Sequence, residues 1–148
     1  MTTYRLHASL GYNLSLAARL QERRLEEALK SLGLTRTTWC ILLAIGNERL
    51  EQPSDIARFV GIDRTATSRA LRHMESKGMV ARATGEGDRR TTRVTLTKQG
   101  AELIDHGTPF AIANNSAMRD KLTAAEHDEI LRLLAKLTEG EDADLTSF

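Results

Sequence analysis

Residues 54–96 constrain this chain more than any other stretch. They read SDIARFVGIDRTATSRALRHMESKGMVARATGEGDRRTTRVTL. Ile56, Ala57 and Val60 recur at helical spacing and give a first, short helix one apolar stripe. Ala57 is small enough to let a second helix approach closely. Gly61 breaks the first helix and can take the positive φ that a tight turn needs. Ile62 is placed to plug the space between the helices. Asp63 can cap the next helix, because its carboxylate accepts free backbone N–H groups. Ala66, Ala70, Leu71 and Met74 then form the buried stripe of a second helix, which Gly78 ends. Residues 79–83 and 91–96 read as two short strands around a polar, Gly-rich tip. Two helices across a tight turn, followed by a β-hairpin, are the sequence form of a winged helix-turn-helix.

The complement of the second helix's stripe is Arg64, Thr65, Ser68, Arg69, Arg72 and His73. The plain reading of such a face is a solvated one. Two features favour another. The face holds Arg without the interleaved Glu that would make intrahelical pairs, and Thr and Ser stand where stronger helix formers would be expected. Short polar and guanidinium groups on one helix face suit entry into the DNA major groove. Arg89, Arg90 and Arg93 lie at or just after the hairpin tip, where an extended Arg can reach a neighbouring narrow minor groove. The alternative for the hairpin is a solvated loop with Arg for solubility.

Charge is distributed to match. The net charge is only +1, which does not suggest a nucleic-acid partner. Residues 1–53 carry +2, residues 54–100 carry +5 and residues 101–148 carry −6. The basic charge sits on the hairpin and helix pair, and the acidic charge lies elsewhere.

The flanking segments are helical. Residues 6–32 read as one long helix with Leu6, Leu10, Leu14, Ala17, Ala18, Leu25, Ala28, Leu29 and Leu32 on a stripe too wide for one packing face. Gly33 is a fitting stop. Thr35 can cap a helix holding Trp39 to Ile45. Residues 98–118 read as a helix that Gly107 and Pro109 should kink or break. Thr123 and Glu126 form a capping box for a final helix with Ile130, Leu133, Leu134 and Leu137 on one side, and residues 139–148 are expected to be a mobile acidic tail. The expected fold is therefore mainly α with a small hairpin wing, divided into residues 1–33, 34–97 and 98–148. The wide end stripes favour a dimer, although 148 residues can also bury a core as a monomer.

No phosphate-binding Gly loop, nucleophile elbow or metal-spaced His/Cys cluster is present, so neither enzyme nor metal cofactor is expected. His7, His73, His106 and His127 are scattered. No signal peptide or membrane span is read, which makes the cytoplasm the expected compartment. Trp39 reads as core more readily than as a ligand-stacking group. Cys40, alone in the apolar run TWCILLAI, reads as buried and inert, with redox sensing the alternative.

The segments LTRTTWCILLAI at 34–45, SDIARFVGIDRTATSRALRHMESKGMVAR at 54–82 and GDRRTTRVTLTKQG at 87–100 resemble the MarR family of bacterial transcription regulators. The resemblance covers nearly the whole chain. It implies a homodimer made by the N- and C-terminal helices, with one winged domain per subunit and two reading helices about 34 Å apart on a palindromic site of double-stranded DNA. Carried over residue by residue, the DNA-reading positions are Arg64, Thr65, Thr67, Ser68, Arg69 and Arg72, with Arg89 and Arg90 in the wing. Asp63 is expected to pair with Arg90 and set the wing angle, and Asp88 is the other acid able to hold the wing Arg residues. The resemblance also implies a repressor released by a small aromatic or amphipathic effector. Two alternatives stay open: a redox response through Cys40, and a dimeric ligand-binding protein that has lost operator recognition.

Overall fold

The computed structural model describes residues 1–84, 92–142 and Leu145. Across them the chain is mainly helical, with one two-stranded antiparallel sheet. Helix α1 (Leu10–Lys30) follows a single 3-10 turn at Leu6–Ala8. The expectation of one helix over 6–32 is corrected at Ser9. This residue is extended, and its Oγ accepts the Tyr12 N–H at 3.3 Å, so it caps a new helix instead of continuing an older one. At the far end Gly33 takes a φ of 71°. The chain closes there as the Leu34 N–H returns to the Leu29 carbonyl at 3.2 Å.

Helix α2 (Arg36–Gly46) starts at a capping box of Thr35 and Thr38. Its centre is almost wholly apolar, and Trp39, Ile41, Leu42, Ala44 and Ile45 are buried. The other elements of the winged head, with α1, are arranged around this helix. Helix α3 (Pro53–Val60) opens on a proline, whose missing N–H would have had no partner in the first turn. Helix α4 (Arg64–Ser76) leads to β1 (Val80–Thr84) and β2 (Thr92–Leu96), paired from Val80 against Leu96 to Thr84 against Thr92. Thr91, expected to start the second strand, lies outside the described residues.

Helix α5 (Lys98–Arg119) begins at Thr97, whose Oγ1 accepts the Gly100 N–H at 3.0 Å. The same hydroxyl donates to the Gly78 carbonyl at 2.6 Å, tying α5 to the end of α4. Of the expected kink or break near 107–109, the break is not observed: α5 runs continuously through Pro109. Packing holds the helix on both sides of the lost N–H. Gly107 is buried against Trp39, and a Cβ there would overlap the indole ring, so this glycine serves close approach. Ile104 and Ala111 lie against the core, and the Thr108 hydroxyl donates to the Ile104 carbonyl at 2.7 Å. Local breaker signals thus lose to tertiary contacts.

Helix α6 (Ala124–Thr138) starts at the Thr123–Glu126 capping box and buries none of its residues. Ile130, Leu131, Leu133, Leu134 and Leu137 are exposed, as are Leu6, Leu10 and Leu14 at the other end of the chain. No described helix is long and apolar enough to cross a membrane.

Candidate nucleic-acid interface

The α3–α4 pair is built as the local sequence dictates. Gly61 adopts the left-handed conformation with φ 85°, a region that glycine enters without a Cβ penalty. Ile62, 2% exposed, fills the space between the helices. Asp63 is extended, and its Oδ1 accepts the Ala66 N–H at 2.6 Å, giving α4 its cap.

Five of the six expected reading positions on α4 are exposed: Arg64, Thr65, Ser68, Arg69 and Arg72, with His73 beside them. Among the described residues none of Arg64, Arg69 and Arg72 enters an ion pair. Arg72 makes a 3.4 Å bond from its Nε to the Ser68 carbonyl. Thr67 is the exception and a correction. It is 1% exposed, and its Oγ1 donates to the Asp63 carbonyl at 2.8 Å. The spacing explains this, since 67, 71 and 74 share one helix face, so Thr67 falls in line with the buried Leu71 and Met74. It holds the first turn of α4 from inside.

Two ion pairs fix the hairpin against the helices. Arg82 on β1 donates from Nη2 to Glu75 Oε1 on α4 at 2.9 Å, and this hydrogen bond pulls the Glu75 carboxyl below its ordinary value. Arg93 on β2, expected near the tip as a DNA-facing cation, is instead held by Glu51 in the α2–α3 loop, through Nε to Oε2 at 2.8 Å. The Val94 N–H also donates to the Glu51 carbonyl, at 2.8 Å, so the loop runs against β2. Sequence reading did not find Glu51, because its partner lies 42 residues away and no local pattern links them. Asp88, Arg89 and Arg90, and with them the expected Asp63–Arg90 pair, lie outside the described residues.

Cys40 is half-buried. Burial pushes its thiol above the ordinary value, offset in part by the positive charge of Arg36. Among the described residues no group of three or more His, Cys, Asp and Glu side chains is placed to hold a metal ion.

The fold and the exposed α4 face define a winged-helix protein. Residues 32–91 match the model of the MarR family. A cysteine-to-serine mutant of MarR from E. coli, solved in complex with operator DNA, shares 26% identity at a TM-score of 0.80, over 86% of this chain and 92% of that one. BpsR from Bordetella bronchiseptica, in a study of how 6-hydroxynicotinic acid regulates its DNA binding, shares 22% identity at a TM-score of 0.86, over 95% and 100%. CouR from Rhodococcus jostii RHA1, bound to p-coumaroyl-CoA, shares 19% identity at 0.79, over 93% and 97%. The chain is therefore similar to the MarR family over residues 32–91 and shares its winged-helix fold with these structures.

Proposed function

We propose that this protein is a transcription regulator that reads operator DNA as a homodimer and represses until a small molecule releases it. The observation that carries the reading is the outer face of α4, where Arg64, Arg69 and Arg72 are exposed and, among the described residues, enter no ion pair, beside Thr65 and Ser68. Elsewhere in the winged head, Arg82 and Arg93 are tied to carboxylates that fix the hairpin. An unpaired guanidinium can make bidentate contact with a guanine edge, and the five α4 residues are our candidates for base and phosphate contact. Arg89 and Arg90 are assigned to the adjoining minor groove on sequence alone.

The dimer is supported by the exposed leucines of α6 and of the N-terminal segment, since clustered exposed apolar side chains mark interaction surfaces. In this arrangement residues 34–97 are the reading head, and residues 1–33 and 98–148 join the subunits over a palindromic site. A small aromatic or amphipathic effector is supported by the ligands of the relatives, 6-hydroxynicotinic acid for BpsR and p-coumaroyl-CoA for CouR. Such a ligand must bind the two dimer conformations with different affinity, or it shifts nothing. A redox response through Cys40 has less support, because a thiol with a raised pKa supplies little thiolate.

The test is a salt series of binding to the duplex upstream of the protein's own coding region, with random duplex as control. Steep salt dependence with a large preference for the upstream duplex is expected. Shallow dependence without preference sinks operator reading.

A further inference from the structure

The chain after α6 does not simply run into solvent. Gly140 turns it with a φ of 78°, and Leu145 returns to the α3–α4 turn. There the Asp63 N–H donates to the Leu145 carbonyl at 2.7 Å, and the Leu145 N–H to the Gly61 carbonyl at 3.4 Å. These two bonds form a one-residue parallel bridge between Leu145 and Ile62. Asp142 lines the same recess, together with Ser54, Arg58, Arg64 and Thr65.

We infer that the C-terminal tail is a built-in competitor for DNA, docked on the turn of the helix-turn-helix. Three observations carry this. The contact is backbone pairing at a fixed place, and it engages the N–H of the residue that caps α4. The recess contains Arg64 and Thr65, at the start of α4, and the first residues of a recognition helix are the ones that meet base edges. Finally, Asp142 lines the recess, so this segment offers negative charge where phosphates would otherwise sit. A duplex entering along α4 must displace it. The apparent affinity is then lowered by the fraction of molecules in which the tail is docked. This inference rests on the DNA reading above, and the experiment separates the two.

Three proteins are compared: the full chain, the chain ending at Thr138, and Leu145→Pro. The proline variant keeps every tail charge but cannot donate an N–H to Gly61. Amide hydrogen exchange at Asp63 reads docking, and operator affinity reads competition. We expect faster Asp63 exchange in both altered proteins. We also expect tighter operator binding, by roughly three- to tenfold if the tail is docked in about 70–90% of molecules. Tighter binding by the shortened chain alone would mean that removing negative charge is the whole effect, and would overturn docking. Faster exchange in both with unchanged affinity would overturn competition. If none of the three binds duplex while exchange still differs, the tail is docked but operator reading is wrong, and the competition falls with it.

Discussion

The winged head and the two ends of the chain are built on opposite terms. In the head, α2 is surrounded, and the large apolar residues of α2, α4 and the hairpin are buried together. At the ends, α6 buries nothing, and the leucines near the N-terminus face outward. Yet the ends are not poorly specified as helices. Ser9 and the Thr123–Glu126 box give them caps as definite as that of α4. The comparison teaches that local helix signals and burial are separate properties. The head satisfies both within one chain, whereas α6 satisfies the first and leaves its apolar side exposed.

The strongest way to break this contrast is in the core. Leu42 is fully buried, and Leu42→Ala should cost about 2–5 kcal/mol in denaturant unfolding, independent of protein concentration. A loss below about 1 kcal/mol would mean that the head is not the self-sufficient part. Leu134→Ala tests the ends. Its side chain is exposed in the single chain, so a monomer should scarcely notice the change. A dimer that covers it should lose roughly 1.5–3 kcal/mol per buried face, and its unfolding midpoint should move with concentration. Sedimentation of the same variant at falling concentration checks the assignment directly.

What was legible in the sequence follows the same division. Gly61, Asp63, Thr35 and the Thr123–Glu126 box could be read because each acts within four residues of itself. The apolar stripes could be read because helical periodicity is also local. Three features could not. Pro109 looked like a break because the Trp39–Gly107 contact that steadies α5 joins distant parts of the chain. Arg93 looked like a free cation because Glu51 is remote in sequence. The return of Leu145 to the α3–α4 turn had no signal beyond an acidic composition that suggested a mobile tail. Thr67 differs from these. Its inward place is legible in the 67, 71, 74 spacing, whereas its hydroxyl chemistry alone suggests the reading face.

The exposed face of α4 gives the next prediction. Arg69→Ala should weaken operator binding by about 1–3 kcal/mol if Arg69 meets a base edge, with little change in unfolding, since it is exposed and enters no ion pair among the described residues. Thr67→Val should do the reverse. It removes the bond to the Asp63 carbonyl and should lower stability by about 1 kcal/mol, with any loss of DNA affinity following the loss of fold. Equal effects of the two on DNA would erase the distinction between the reading face and its support.

The smallest effect is expected at the hairpin pin. The Arg82 hydrogen bond holds the Glu75 carboxyl below its ordinary value, and hydrogen bonds from Thr123 and Arg132 do the same for Glu126 and Glu129 on α6. A carboxyl lowered in the folded state contributes stability that is present above its unfolded pKa and lost as pH falls through the folded one. Stability should therefore decline as pH drops below the ordinary carboxylate range, in the head and in α6 alike. All three carboxylates are solvent-facing, so each contribution is small. Glu75→Gln should flatten the acid limb of the head's unfolding curve and leave that of α6 unchanged. An acid limb unaltered by Glu75→Gln would show that Arg82 is held by packing along β1, with its ion pair contributing nothing measurable.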